Sequence, residues 1–325
     1  MKTLKWGIIA PGKIAQKFAF DLQLVEHNTL YAVASRNIEK ATLFASKYGA
    51  KKAYGSYDEL LNDEQVDVVY IANPHPFHAE STIKTLNAGK HVLCEKPLGI
   101  NKLEVQSIIS ASTANNRFMM EALWSRFNPN IIACLDKIRE GDIGNPNHLT
   151  ADFTFSGNHS NEGRLLNIDL AGGSLLDVGI YPVFLSYLIF GKPKSIKAHG
   201  ILHKTTGVDT HFSASLLYDN AIAQISSNIM SQSDMVAKIA GTKGAIYIDS
   251  RWHEAEGHTI QIEEKKVHYK VPKIGHGYCH EIIDCANCIR SGKIQSALWS
   301  HQNSIDLISI LDEIRAQIGL KYPFE

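Results

Sequence analysis

Two short stretches carry residue types that can do chemistry. The first is HVLCEKPLG, residues 91–99, where an apolar run stops at Glu95, Lys96 and Pro97. An acid and a base at the end of a buried run belong either to a solvated rim or to a site. Pro97 lacks an N–H, so it ends a strand ladder and can hold Lys96 at a fixed kink. The second stretch is IIAPGKIAQKF, residues 8–18. A dinucleotide-binding turn reads G-x-G-x-x-G/A; here Ala10, Gly12 and Ala15 occupy the three positions. Gly12 lets the backbone approach a pyrophosphate, and Ala15 permits close helix–strand packing. A helix opening at Lys13 and Ile14 supplies partial positive charge. Ala10 departs from the pattern, and Pro11 fixes φ within the turn.

A third position discriminates between cofactors. At the end of the second strand a carboxylate commonly binds the ribose 2′-hydroxyl of NAD. This chain has Ser35 and Arg36 there, with Lys40 one turn into the next helix. A hydroxyl and a guanidinium suit a 2′-phosphate. NADP is therefore the expected cofactor, with NAD as the alternative.

The surrounding pattern predicts the elements that position these residues. Strand and helix signals alternate over the first 120 residues: strands at 4–10, 30–36, 66–73, 91–96 and 117–125, and helices at 12–25, 38–49, 77–90 and 101–115. Strict alternation predicts a doubly wound parallel sheet with right-handed crossovers, a Rossmann domain over residues 1–122. Its ligands belong beyond the carboxyl ends of the strands, where Glu95 and Lys96 lie. Residues 123–325 read as an α+β domain with an open, mostly antiparallel sheet. Helices are expected at 129–141 and around 174–190, strand-like runs at 148–157, 195–203, 209–218, 221–229, 235–249 and 258–271, and closing helices at 280–292 and 301–319. The last helices can pack back on the first domain.

Composition narrows the partners. The chain has 325 residues, 44% of them hydrophobic, and 33 basic residues balance 33 acidic ones. That balance gives no electrostatic footprint for nucleic acid or an anionic membrane. The apolar run 179–191 is shorter than a membrane span and reads as a buried helix. The N-terminal residues read as a first strand rather than a secretory leader, so a cytoplasmic location is expected. Five cysteines, at 94, 134, 279, 285 and 288, read as reduced, buried thiols. Cys285 and Cys288 have no second pair with which to complete a zinc site, so no metal is expected.

With IANPHPFHAE (71–80), MEALWSRF (120–127), LAGGSLLDVGIYP (170–182), GHGYCHEIIDCANCIRSGK (275–293) and LDEIRAQIGLKYP (311–323), the chain resembles the glucose–fructose oxidoreductase/inositol dehydrogenase (Gfo/Idh/MocA) family along nearly its whole length. The resemblance implies hydride transfer at a carbinol or carbonyl carbon of a sugar, polyol or diol. It also implies a homodimer, with a tetramer as the alternative, assembled through the C-terminal sheet. Lys96 is implied to lie beside nicotinamide and substrate, often before a cis proline. Asn73, Pro74 and His78 are implied to face the cofactor. In the inositol dehydrogenase branch an Asp is followed four residues later by an acid/base His; here Asp177 is followed by Tyr181. That departure resembles the branch with dimeric dihydrodiol dehydrogenases and NADP-dependent xylose dehydrogenases.

The chemistry of the residue types is compatible with this. Oxidising an alcohol requires a group that takes its hydroxyl proton as the hydride leaves. Tyrosine serves only where a nearby cation lowers its pKa, and Lys96 is the expected cation for Tyr181. Glu95 either orients Lys96 or contacts the nicotinamide side. Asp177 reads as a substrate ligand, a partner for Lys96, or a helix cap. Arg164, Trp124 and Phe127 are candidate substrate contacts. Two other readings stay open: a reductase of anhydrosugars or 2-oxoaldehydes, and a non-catalytic NADP-binding sensor.

Overall fold

A computed structural model of the protein describes residues 2–157, 160 and 163–325. The chain forms two compact units, one of residues 1–127 and 274–305 and the other of residues 128–273 and 306–325.

The first unit is built on six parallel strands: β1 (Leu4–Ile9), β2 (Asn28–Ala34), β3 (Lys52–Tyr54), β4 (Val68–Ile71), β5 (His91–Glu95) and β6 (Met119–Ala122). Their order is β3-β2-β1-β4-β5-β6, the doubly wound arrangement that the alternation predicts. Helices α1 (Lys13–Leu22), α2 (Ile38–Tyr48), α3 (Tyr57–Leu61), α4 (His78–Asn87) and α5 (Lys102–Asn115) connect them. The short β3 and α3 carry too few periodic residues to be legible in the sequence. β4 and β5 are buried on both faces and read as near-continuous apolar runs for that reason. The helix starts are set by side chains: Asn37 accepts from the Lys40 amide, and Asn101 from the Glu104 amide. On the sheet, the Phe18 ring of α1 stacks on Tyr70 of β4 with centroids 3.7 Å apart.

The second unit begins with α6 (Pro129–Glu140), capped by the Asn128 side chain and ended by Gly141 at φ +81°. Its sheet has eight strands: β7 (Pro146–Thr154), β8 (Ser195–Leu202), β9 (Asp209–Leu217), β10 (Ile222–Asn228), β11 (Ala237–Gly241), β12 (Ala245–Ile248), β13 (Gly257–Ile262) and β14 (Lys265–Lys270). The order is β14-β13-β12-β11-β7-β10-β9-β8, and only β7 with β10 is parallel. The runs 235–249 and 258–271 each fold into a hairpin, because Gly244 and the left-handed Glu263 sit where each turns back. Helix α7 (Ile180–Phe190) follows a π-helical turn over Leu175–Gly179. The whole helical stretch Ile168–Phe190 is long and apolar enough to cross a membrane, a correction to the shorter run read from sequence. Yet 78% of its most apolar window is buried inside the protein, as in a core helix.

Two C-terminal helices complete the chain, α8 (Tyr278–Arg290) and α9 (His301–Ile318). In the first unit α8 packs on α1 through a buried aspartate. Asp21 accepts the amides of His276, Tyr278 and Cys279 at 2.8–3.2 Å. A Cβ at Gly275 would lie 2.4 Å from Asp21 Oδ1, and φ there is +59°, which explains the first glycine of GHGYCHEI. The five cysteines are free and buried. Burial pushes the Cys134 and Cys279 thiols up to about 12, so they are inert thiols rather than nucleophiles.

Candidate functional site

At the carboxyl end of β1 the chain turns through Ala10, whose φ of +63° is the left-handed conformation that glycine usually supplies. The Ala10 amide donates to Ala34 of β2 at 3.1 Å, and its carbonyl accepts the Gly12 amide at 2.8 Å, closing the turn. Gly12 caps α1, with Lys13 exposed and Ile14 half-buried behind it. Gly12 has φ −88°, which any residue adopts, and a Cβ built on it would meet only Ala10 O at 3.9 Å. Neither backbone nor packing requires glycine there. The space it leaves at the helix N-terminus fits the close approach of a phosphate.

Next to this turn lies a cleft of about 180 Å³, lined by Ile9, Arg36, Tyr57, Asn73, Pro74 and Lys84 among others. It brings together Arg36 from the end of β2 and Asn73 and Pro74 from the end of β4. Asn73 Nδ2 donates to Ser81 at 2.7 Å, while its Oδ1 is buried without a hydrogen-bond partner among the described residues. A buried acceptor on a residue that lines the cleft fits a ligand that brings a donor. Ser35 is buried and accepts the Asn37 amide at 3.2 Å; Lys40 is exposed on α2. These residues fit a dinucleotide, with the diphosphate at Gly12 and the adenosine end near Arg36. Tyr57, Ser81 and Lys84 were not legible as cleft residues, since α3 and α4 reach the cleft only through the strand order.

The Lys96 segment is held by buried side chains from several elements. Lys96–Pro97 is a cis peptide bond, as the resemblance implied. Glu95 is buried, accepts from the Tyr70 hydroxyl, and receives the Lys96 amide at 3.3 Å. His78 is fully buried; its two ring nitrogens lie 2.6 Å from the Pro97 carbonyl and 2.7 Å from the Asn73 carbonyl. The imidazole thus ties the β4 loop to the β5 loop. Glu121 Oε1 accepts the Leu98 amide at 3.0 Å, and Glu104 Oε2 accepts the Ile100 amide at 2.9 Å. Lys96 itself is half-buried. Glu121 was not singled out in the sequence, although an acid inside the apolar run MMEA is a signal. Trp124 stacks on Tyr278 with centroids 5.1 Å apart, and Phe127 is buried.

One further acid in this unit is unusual. Glu281 on α8 is fully buried, and neither carboxylate oxygen has a hydrogen-bond partner among the described residues. Burial, then the charges of Glu95 and Asp21, push its pKa well above the carboxylate range.

Within the second unit, Asp177 and Tyr181 lie on the π-turn and the first turn of α7. Asp177 pairs with Arg164 at 2.9 Å. Asp209 caps the start of this helical segment, accepting the Leu175 amide at 2.7 Å. Tyr181 is buried against two rings that sequence reasoning missed, Phe153 at 5.3 Å and His253 at 5.4 Å between centroids. Phe153 and His253 stack at 4.2 Å. Nothing in their local sequence connects β7 and the β12–β13 connection to α7.

Comparisons with known proteins agree with this geometry. The oxidoreductase family with an NAD-binding Rossmann fold matches residues 4–122, and the GFO/IDH/MocA C-terminal domain matches residues 132–247. The chain is 36% identical to the mouse (Mus musculus) trans-1,2-dihydrobenzene-1,2-diol dehydrogenase, covering 99% of this chain and 98% of that protein. The human (Homo sapiens) protein of the same name is 34% identical with the same coverage. Among solved structures, KijD10, a 3-ketoreductase from Actinomadura kijaniata in complex with NADP and TDP-benzene, shares the fold with a TM-score of 0.89 at 24% identity over 98% of each chain. An aldose–aldose oxidoreductase from Caulobacter crescentus also has a TM-score of 0.89, at 23% identity over 97% of each chain. The chain belongs to the Gfo/Idh/MocA family and is an NAD(P)-dependent dehydrogenase or reductase.

Proposed function

We propose that the protein is an NADP-dependent oxidoreductase acting on a CH–OH carbon of a trans-dihydrodiol, sugar or polyol, with Lys96 and Tyr181 handling the proton. The observation that carries this reading is the anchoring of the Lys96 segment. Three buried side chains, Glu95, His78 and Glu121, and the half-buried Glu104 engage the Lys96 amide, the Pro97 carbonyl and the Leu98 and Ile100 amides. A surface lysine needs no such support, whereas a group that must meet a reacting oxygen does. The diol substrate class is supported by full-length likeness to the dihydrodiol dehydrogenases.

When bound, the nicotinamide accepts or returns the hydride. Tyr181 takes the hydroxyl proton in oxidation and gives it back in reduction; Lys96 supplies the positive charge that makes a phenol competent for this. Asp177, fixed by Arg164, accepts a substrate hydroxyl. Arg36, exposed at the end of β2 with Lys40 a turn away, supports NADP over NAD. For assembly we propose a homodimer through the outer face of the eight-stranded sheet. Leu217 and Ile222, directly paired across β9 and β10, are both exposed there, which supports it. Buried free thiols fit a reducing compartment, and we place the protein in the cytoplasm.

The test is turnover of aldoses, polyols and trans-dihydrodiols with each cofactor, followed by nicotinamide absorbance. Oxidation of at least one diol or sugar with NADP is the expected result. Silence of the parent across the whole panel, with cofactor still bound, would instead support the sensor reading.

A further inference from the structure

Three glycines in LAGGSLLDVGIYP have their explanation in one buried acid and its surroundings. Asp209, the first residue of β9, is fully buried, and its Oδ2 accepts from Ser174 Oγ at 2.6 Å and from the Leu175 amide at 2.7 Å. Gly173 has φ +112°, and a Cβ there would lie 2.2 Å from Asp209 Oδ1. Gly172 is enclosed by the carbonyls of Arg164, Leu165 and Asn167, each within 2.8 Å of such a Cβ. At Gly179 a Cβ would fall 2.3 Å from the Phe212 ring of β9. Ser227 of β10 donates to Ser174 at 2.9 Å, and the Tyr322 hydroxyl donates to the Gly172 carbonyl at 3.3 Å. Strands, loop and C-terminal segment thus converge on the start of the helix that carries Asp177 and Tyr181.

We propose that Asp209 is a positioning residue for Asp177 and Tyr181, fixing the first turn of the π-helical segment and with it the direction in which both side chains leave the helix. This rests on the reading that Asp177 and Tyr181 serve the substrate. The first amides of a helix lack internal partners, and a carboxylate engages them more strongly than a neutral cap. Leu175 is two residues from Asp177 and six from Tyr181, so a rotation at Leu175 is carried rigidly to both. The widened turn itself is of a kind frequently found at functional sites. The acid is kept at a cost: burial pushes Asp209 up to about 7.

The experiment compares Asp209→Ala with Asp209→Asn in the full chain, well below their melting temperatures. For the alanine variant kcat falls about 10- to 100-fold, as for an ångström-scale misplacement, while cofactor affinity stays within about twofold. The asparagine variant retains an acceptor oxygen and recovers kcat to within about fivefold of the parent. Amide hydrogen exchange in Asp209→Ala rises in peptides spanning 172–181 and not across the rest of the second unit. Alanine kcat within twofold of the parent, equal loss in both variants, or exchange raised evenly overturns the proposal. Should Asp209→Ala not fold, Ser174→Ala removes one donor; it is expected to lower kcat several-fold and raise exchange over 172–181, and no change in either is equally fatal. A parent inert on every substrate defeats the substrate reading, while the exchange pattern still decides the positioning role.

Discussion

Glu121 and Leu98 stand 23 residues apart and share a buried hydrogen bond, with Oε1 accepting the Leu98 amide at 3.0 Å. The second oxygen of Glu121 accepts from Ser304 Oγ at 2.6 Å and Trp299 Nε1 at 3.2 Å. One carboxylate therefore joins the Lys96 segment to the residues that lead into and open α9. Burial raises its pKa, and the three donors and the charge of Lys96 oppose that rise.

Glu121→Leu removes the acceptor of the Leu98 amide and the Ser304 hydroxyl, while Trp299 Nε1 keeps Ser304 Oγ at 3.0 Å. At about 1 kcal/mol or more for each donor left unsatisfied, stability falls by on the order of 2 kcal/mol. A lower urea midpoint with an unchanged slope is the expected signature, and Glu121→Gln retains part of the loss. An unchanged midpoint for the leucine variant would show that the donors find other partners.

Lys96→Met and Tyr181→Phe each remove a group assigned to proton handling. Both variants should bind cofactor like the parent and lose on the order of 10²- to 10⁴-fold in kcat. Values within a few-fold of the parent in either variant sink that assignment.

Gly12→Ala separates the cofactor's need for glycine from the protein's. Its φ is compatible with alanine and the added Cβ meets no protein atom closer than 3.9 Å. The cofactor-free protein is expected to gain up to about 1 kcal/mol, because the unfolded chain loses freedom. Cofactor affinity should drop at least roughly tenfold, since the methyl occupies the approach to the helix N-terminus. Calorimetry for the first and titration for the second settle the point; unchanged affinity would place the diphosphate elsewhere.

Arg36→Asp should move preference from NADP toward NAD, because a carboxylate repels a 2′-phosphate and accepts from a 2′-hydroxyl. The ratio of kcat/KM for the two cofactors is the measurement. A ratio that does not move removes the argument for NADP.

Glu281→Gln tests the partnerless acid. Its folded pKa is raised above its unfolded value, so the proton is held more tightly in the folded protein. Stability from this group is complete below the unfolded pKa of about 4.5 and is lost as pH rises toward the folded one. Glutamine keeps the shape and does not titrate. The variant should match the parent near pH 4 and unfold at higher urea as pH rises. A gap that is constant with pH excludes titration of Glu281 as the cause.

The residue pattern alone determined a good deal of this protein. Alternating strands and helices specify the doubly wound sheet, because a parallel strand buried on both faces must be apolar along its length. Glu95, Lys96 and Pro97 could be placed at a strand's carboxyl end, and Gly12 and Arg36 at those of the first two strands, because these are local positions in a periodic chain. Tertiary structure decided what supports them. Glu121 meets Leu98, Asp209 meets Leu175, and His253 meets Tyr181 across separations of 23, 34 and 72 residues. Such pairs have no local signature: a buried polar group must be satisfied, but its partner is chosen by which strands and helices become neighbours. The glycines of LAGGSLLDVGIYP show the same division, since their spacing is visible in the chain and the acid and rings that demand them are visible only in the fold.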